Sequence, residues 1–217
     1  MSDTNAVRKG ACEICQSEAK VLGNQNYLKS NCPRCGTYMY ASNIATGMQA
    51  GWLNVQSPNH MVRLSGWVRD QNTFGIEYPN ITIDISMRVK AMSLPGFQER
   101  ADRALWVIAR RAGNDVEAVL TIEDVAKDLE LLGRSYSTNY KEALTLIRIL
   151  ESEGSLRRPV GTGIQAQALS VKGLLKVEAM SGKRTASAQG FVVMWFDESM
   201  NHAWINGVRS GDSHCGF

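Results

Sequence analysis

Two cysteine pairs, Cys12-x-x-Cys15 and Cys32-x-x-Cys35, separated by sixteen residues, constrain this chain more than any other feature of its sequence. A CxxC turn bends the backbone into a knuckle whose two thiolates aim at one cation, and two knuckles flanking a short loop complete a tetrahedral S4 shell. The spacing reads as a zinc site, with Cys12, Cys15, Cys32 and Cys35 as ligands and Zn2+ as the implied ion. In a reducing compartment these thiols would not pair as structural disulfides, and a thioredoxin-like redox site would need one CxxC beside a βαβ pattern. Four thiolates leave no open position for water, and no HxE or HExxH lies nearby to supply a general base, so the implied metal is structural. Pro33 and Gly36 flank the second knuckle, where Gly36 can take the positive φ that closes the turn. Two roles stay open for such a ribbon: a folding staple for a segment too small to build its own core, or a surface that contacts nucleic acid or protein.

The 217 residues leave room for one ordinary domain plus a small one, or for several small modules. With 44% hydrophobic and 21% charged residues the composition is that of a folded chain, not a disordered one. No run of about 18 apolar residues occurs, which excludes a membrane-spanning helix, and the polar stretch from Met1 to Gly10 has no secretory signal, so a cytoplasmic location is expected. The net charge of +3, from 24 basic and 21 acidic residues, gives no whole-chain argument for nucleic acid.

Helical periodicity starts after Gln98. Leu105, Ile108, Ala109 and Ala112 recur at helical spacing and Gly113-Asn114 end the run. Thr121-Ile122-Glu123-Asp124 opens a second helix in the manner of a capping box, with Ile122, Val125, Ala126 and Leu129 on one face and Gly133 as its stop. After Ser135-Tyr136-Ser137, a third helix carries Ala143, Leu146, Ile147 and Leu150 and ends at Gly154. Leu156–Val160 and the alternating Ile164–Leu169, joined at Gly161-Thr162-Gly163, predict a β-hairpin wing. A last helix runs from Ser170, its N-cap, to Met180. Gly161 to Ala166 formally matches GxGxxA, but a strand-like run follows where a dinucleotide site needs a helix, so it is assigned to the wing turn.

Three helices, a β-wing and a closing helix resemble a winged helix-turn-helix domain. On that resemblance the third helix would enter the DNA major groove, with Ser137, Thr138, Asn139, Tyr140 and Lys141 at its leading end and Arg157 and Arg158 on the wing. Charge opposes DNA binding: residues 101–160 hold 9 basic and 10 acidic groups, and Glu142, Glu151 and Glu153 share the third helix. Packing or protein contact is the alternative use of such a domain.

Ser181 to Gly190 is small and polar, as a linker would be, and Phe191-Val192-Val193-Met194-Trp195-Phe196 then reads as a buried strand opening an α/β unit. With Gly190, Asp197, Met200, Ala203 and Gly207 it looks like the start of a TIR-like, nucleoside deoxyribosyltransferase-like domain. Cys32-Pro33-Arg34-Cys35-Gly36-Thr37-Tyr38 and Arg63-Leu64-Ser65-Gly66-Trp67-Val68-Arg69 are similar to the ribbon and following motif of bacterial zinc-ribbon proteins that carry such a domain. The resemblance implies a nucleotide-processing or signalling module at the C-terminus. An α/β domain needs on the order of 100 residues, more than follow Gly190, so the unit is expected to be truncated, and Asp197, His202 and His214 receive no catalytic role.

The expected fold is therefore α+β and multidomain: a zinc ribbon at 1–60, a connecting segment at 61–97, a winged helix at 98–180, a linker at 181–190 and an incomplete α/β unit at 191–217. The expected function is a zinc-binding regulatory or interaction module without catalysis, meeting DNA or protein. A truncated effector enzyme acting on a nucleoside or dinucleotide is the alternative. Homo-oligomerisation through the C-terminal apolar strand is a further expectation.

Overall fold

The computed structural model describes residues 7–23, 26–41, 44, 57–162 and 166–185. The expected strand at 191–196, the residues Asp197, His202 and His214, and the wing positions 163–165 lie outside the described residues. Met1–Met180 make one compact unit.

That unit opens with an antiparallel meander: β1 (Arg8–Ala11), β2 (Glu18–Gly23), β3 (Tyr27–Cys32) and β4 (Gly36–Ala41). Side chains alternate along β4, so that Tyr38 and Tyr40 point inward and stack on each other with ring centroids 5.6 Å apart. Sixteen residues of helix follow as α1 (Pro58–Thr73), started by Ser57, whose side chain accepts from the His60 amide, with Pro58 in the first turn. The short β5 (Asn80–Ile81) returns to pair parallel with β4, and α2 (Ile83–Ala91) is capped by Thr82.

The stretch 61–97, offered by the sequence only as a connection, thus holds most of α1, all of β5 and all of α2. Its role is to finish the ribbon's core. Cys12, Ile14, Cys32, Cys35, Tyr38 and Tyr40 are buried in one cluster with Leu64 and Val68 of α1, Ile81 of β5 and Val89 of α2. A meander of short strands has too little apolar surface to stabilise itself, and these two helices supply what it lacks. The buried His60 ties them together, its Nε2 lying 3.1 Å from the Ser86 carbonyl oxygen.

A second apolar cluster forms from α3 (Phe97–Arg111), α4 (Ile122–Lys127), α5 (Leu129–Arg134) and α6 (Tyr140–Ser152), with Leu105, Ile108, Leu131, Leu146, Ile147 and Leu150 among its buried members. The helix predicted from Thr121 to Gly133 is two helices: Asp128 breaks it by accepting from the amides of Glu130 and Leu131 as a new N-cap. Gly133 does not stop a helix either. It sits inside α5, where an added Cβ would lie 2.0 Å from the carbonyl oxygen of Arg34.

The strands β6 (Leu120–Thr121), β7 (Leu156–Arg157) and β8 (Ala166–Leu169) make a small sheet in the order β6-β8-β7, antiparallel throughout. The final α7 (Val171–Thr185) begins at Ser170, whose hydroxyl accepts from the Gly173 amide. It runs past Met180 into the expected linker, because polar composition alone does not end a helix. No described helix is long and apolar enough to cross a membrane.

Candidate metal centre and its junction with the helices

Cys12 and Cys15 lie on the turn between β1 and β2, and Cys32 and Cys35 on the turn between β3 and β4, so the meander brings the two knuckles side by side. All four Sγ atoms fall within 4.8 Å of one another, and all four cysteines are free. Cys12 and Cys35 are 3.7 Å apart at sulfur, Cys15 and Cys32 3.5 Å. A Zn–S length of about 2.3 Å gives a tetrahedron with edges of about 3.8 Å, so the residues present fit a metal of that size and geometry.

The surroundings favour a bound cation. Burial, with the neighbouring thiols, pushes the Cys35 thiol well above its ordinary range, and hydrogen bonds to Cys15 and Cys32 push Cys12 up as well. Hydrogen bonds from Cys12 pull Cys15 and Cys32 in the opposite direction. Four sulfurs this close cannot all be thiolates unless a cation compensates them. The Tyr38 hydroxyl lies 3.0 Å from the Cys12 sulfur and can donate to it, while burial first, and the charge of Cys12 and Cys35 next, holds its proton in place. The Cys35 amide donates to the Cys32 sulfur at 3.4 Å, and Gly36 closes the knuckle at φ +88° as expected.

The second knuckle is also a plug. Arg34, 7% exposed, passes into the helical layer and donates through Nη2 to the Ser137 carbonyl oxygen at 2.6 Å, with Thr138 O at 3.4 Å. Arg69 of α1 donates back to the carbonyl oxygens of Arg34, at 3.0 Å, and Pro33. Asn72 accepts from the Thr37 amide at 3.0 Å and donates to the Thr37 carbonyl at 2.9 Å. Beside this clasp the Tyr136 ring, on backbone at φ 51°, lies over Gly66, where an added Cβ would come within 2.3 Å of it. The Tyr136 hydroxyl donates to Asp70 at 2.9 Å. The segment Arg63 to Arg69 therefore works as an adapter: Gly66 seats the turn before α6 and Arg69 holds the knuckle.

The nucleic-acid candidates are placed unevenly. Ser137 is fully buried and its carbonyl is taken by Arg34. The Thr138 amide donates to Glu142 at 2.6 Å, and Asn139 caps α6 through the amides of Lys141 and Glu142. At the end of β7, Arg157 donates to the Val116 carbonyl and to Glu117, and the next residue, Arg158, pairs with Glu151 at 2.6 Å. Lys141 stays exposed.

The acids that weighed against DNA binding turn out to be committed elsewhere. Glu142 pairs with the buried Arg100, Glu151 with Arg158, and Glu153 with Lys176. What α6 leaves exposed is Tyr140, Lys141, Thr145, Arg148 and, at its end, Ser152. Arg148 was absent from the sequence reading, although the i, i+4, i+7 spacing from Lys141 puts it opposite the apolar stripe.

These carboxylates also set the acid limit of the fold. Burial opposes ionisation of Glu142, but the Thr138 amide and Arg100 outweigh it and hold the carboxyl below its usual range; Glu130 and Glu153 are shifted the same way. A depressed folded-state value means stability that is fully present above the unfolded value, about 4.3, and lost as pH falls below it. Glu142→Gln should therefore flatten the fall in melting temperature below about pH 4.5, as a pH series of thermal melts would show; an unchanged acid limb would refute the assignment.

No protein-family model, no curated protein and no solved structure matches this chain.

Proposed function

We propose that the protein is a zinc-stabilised winged-helix module that acts by binding duplex DNA, with the ribbon built into its DNA-facing domain. The element order and the small sheet carry this reading: α3, then β6, then α4, α5 and α6, then β7 and β8, with the strands side by side as β6-β8-β7, which suits a winged helix with α5 and α6 as the helix-turn-helix pair and β7–β8 as the wing. Cys12, Cys15, Cys32 and Cys35 would hold zinc, whose contribution is folding energy and charge compensation. No catalytic role is assigned.

The exposed face of α6 supports DNA over a purely structural use. Lys141 and Arg148 make no ion pair with any described residue, and no carboxylate competes on the stripe they share with Tyr140 and Thr145. Two free cations on a helix of this class suit phosphate or base-edge contact.

The test is fluorescence anisotropy with short duplex DNA across a salt series. Binding should weaken with salt, and replacing both Lys141 and Arg148 with Ala should reduce the log–log salt slope by about 1.8, close to two phosphate contacts. Absence of binding at low salt, or a slope untouched by the double substitution, would overturn the reading in favour of a protein-contact module.

A further inference from the structure

The second knuckle, the C-terminal half of α1 and the start of α5 border an open hollow of about 600 Å3, lined among others by Asn31, Arg69, Asn72, Arg111, Asp128 and Glu130. A neighbouring hollow of about 480 Å3 shares Asn31, Pro33 and Leu129 with it and adds Lys20. Spaces of this size accommodate a small organic ligand.

Arginines crowd one wall of the cavity. Glu130, with a side chain 12% exposed, is a hub for four arginines: Arg134 Nε at 2.9 Å, Arg69 Nη1 at 3.6 Å, Arg111 Nη2 at 3.8 Å, and Arg110 in close contact. Arg111 also pairs with Asp128 at 2.8 Å. Four guanidinium groups thus share two carboxylates, Glu130 and Asp128. Arg110 and Arg134 are held back by Trp106, whose ring lies 5.1 and 4.6 Å from their guanidinium carbons. Arg69 and Arg111 are the two of the set that line the cavity, and Arg111 is half exposed.

We propose that this cavity binds a phosphate-bearing small molecule of nucleotide size, its phosphate taken by Arg111 and Arg69. The planar guanidinium fork matches two phosphate oxygens at once, and Arg111, half exposed, is reachable by such an anion. Asn31 and Lys20 extend the site toward the second hollow, where the rest of the ligand has room. The inference rests on the arginine cluster and the cavity, independently of the metal's identity and of DNA contact through α6.

Thermal melts and calorimetry on the full chain test it, with inorganic pyrophosphate, AMP, adenosine and sodium chloride at matched ionic strength as probes. Pyrophosphate and AMP should raise the melting temperature, and adenosine and chloride should not. Arg111→Gln should weaken AMP binding by about tenfold or more, the scale of one charge-assisted hydrogen bond, while Lys90→Gln on α2, outside the cavity wall, leaves it unchanged. Should Arg111→Gln fail to fold, Arg111→Lys keeps the charge but loses the fork, and its affinity should still fall. The proposal is overturned if no phosphate probe stabilises beyond chloride, or if the folded Arg111 variant binds AMP as tightly as the parent. It is equally overturned if duplex DNA binds through Arg111 while pyrophosphate and AMP do not, since the arginines would then be a backbone contact.

Discussion

Cys32→Ser is expected to unfold the whole of the Met1–Met180 unit, not the ribbon alone. The cysteine it removes sits beside Pro33 and Arg34, the residues that plug the cysteine knuckle into α1 and the turn before α6. Structural zinc contributes about 10–16 kcal/mol of apparent binding free energy in small zinc domains at neutral pH, against a total stability of roughly 5–15 kcal/mol for a typical domain. Losing the site would also uncover Leu64, Val68 and Val89, which bury their side chains against the cysteine turns and the tyrosines of β4. Circular dichroism melts with parallel zinc determination read the result. The helical signal should melt more than about 10 °C lower, because each kcal/mol corresponds to roughly 2–4 °C in a domain of this size. The same collapse should follow when a chelator strips the parent protein. Zinc loss with a helical midpoint unchanged within about 2 °C would show that the ribbon is an independent appendage.

The second large effect concerns a helix glycine. Replacing glycine by alanine inside a helix ordinarily stabilises by about 1 kcal/mol. Gly133→Ala in α5 should do the reverse, because the new methyl would lie 2.0 Å from the Arg34 carbonyl oxygen and 3.3 Å from the Ser65 hydroxyl. The clash is with backbone, which cannot swing away as a side-chain tip can. Relief requires the knuckle to withdraw, and with it Arg34 from the Ser137 carbonyl, so a loss of about 3 kcal/mol is expected, at the upper end of overpacking costs. Urea denaturation measures it. Pairing the change with Arg34→Ala should give less than the sum of the two single effects, since both act on one junction. A neutral or stabilising Gly133→Ala would mean that ribbon and α5 do not meet as described.

Both expectations depend on a junction that is faint in the sequence, although its parts are readable. The four-cysteine cluster follows from spacing, because a knuckle is a local turn and Gly36 supplies the positive φ it needs. The helix caps at Thr121, Asn139 and Ser170 are local too, each a side-chain oxygen placed two or three residues before the amide it accepts from. The Gly154 turn after α6, at φ +79°, is of the same kind. Gly133 shows where local reasoning stops. Within one chain segment a glycine before a polar turn looks like a helix end, and only the approach of Arg34, ninety-nine positions earlier, explains why it lies inside α5.

By itself the sequence determined what short-range stereochemistry and periodicity control: the pairing of the four cysteines into two knuckles, the amphipathic stripes of α3 and α6, and the helix caps. Tertiary structure decided everything that depends on distant residues meeting. It made α1 and α2 part of the ribbon's core, buried Ser137 under Arg34, and turned Glu142, Glu151 and Glu153 onto Arg100, Arg158 and Lys176. It thereby left Lys141 and Arg148 as the open charges of α6, which a count of charges along the chain could not separate from the rest. The reason is physical: a charge count treats every ionisable group as equally exposed, whereas burial and pairing within a few ångströms determine which of them a partner can reach.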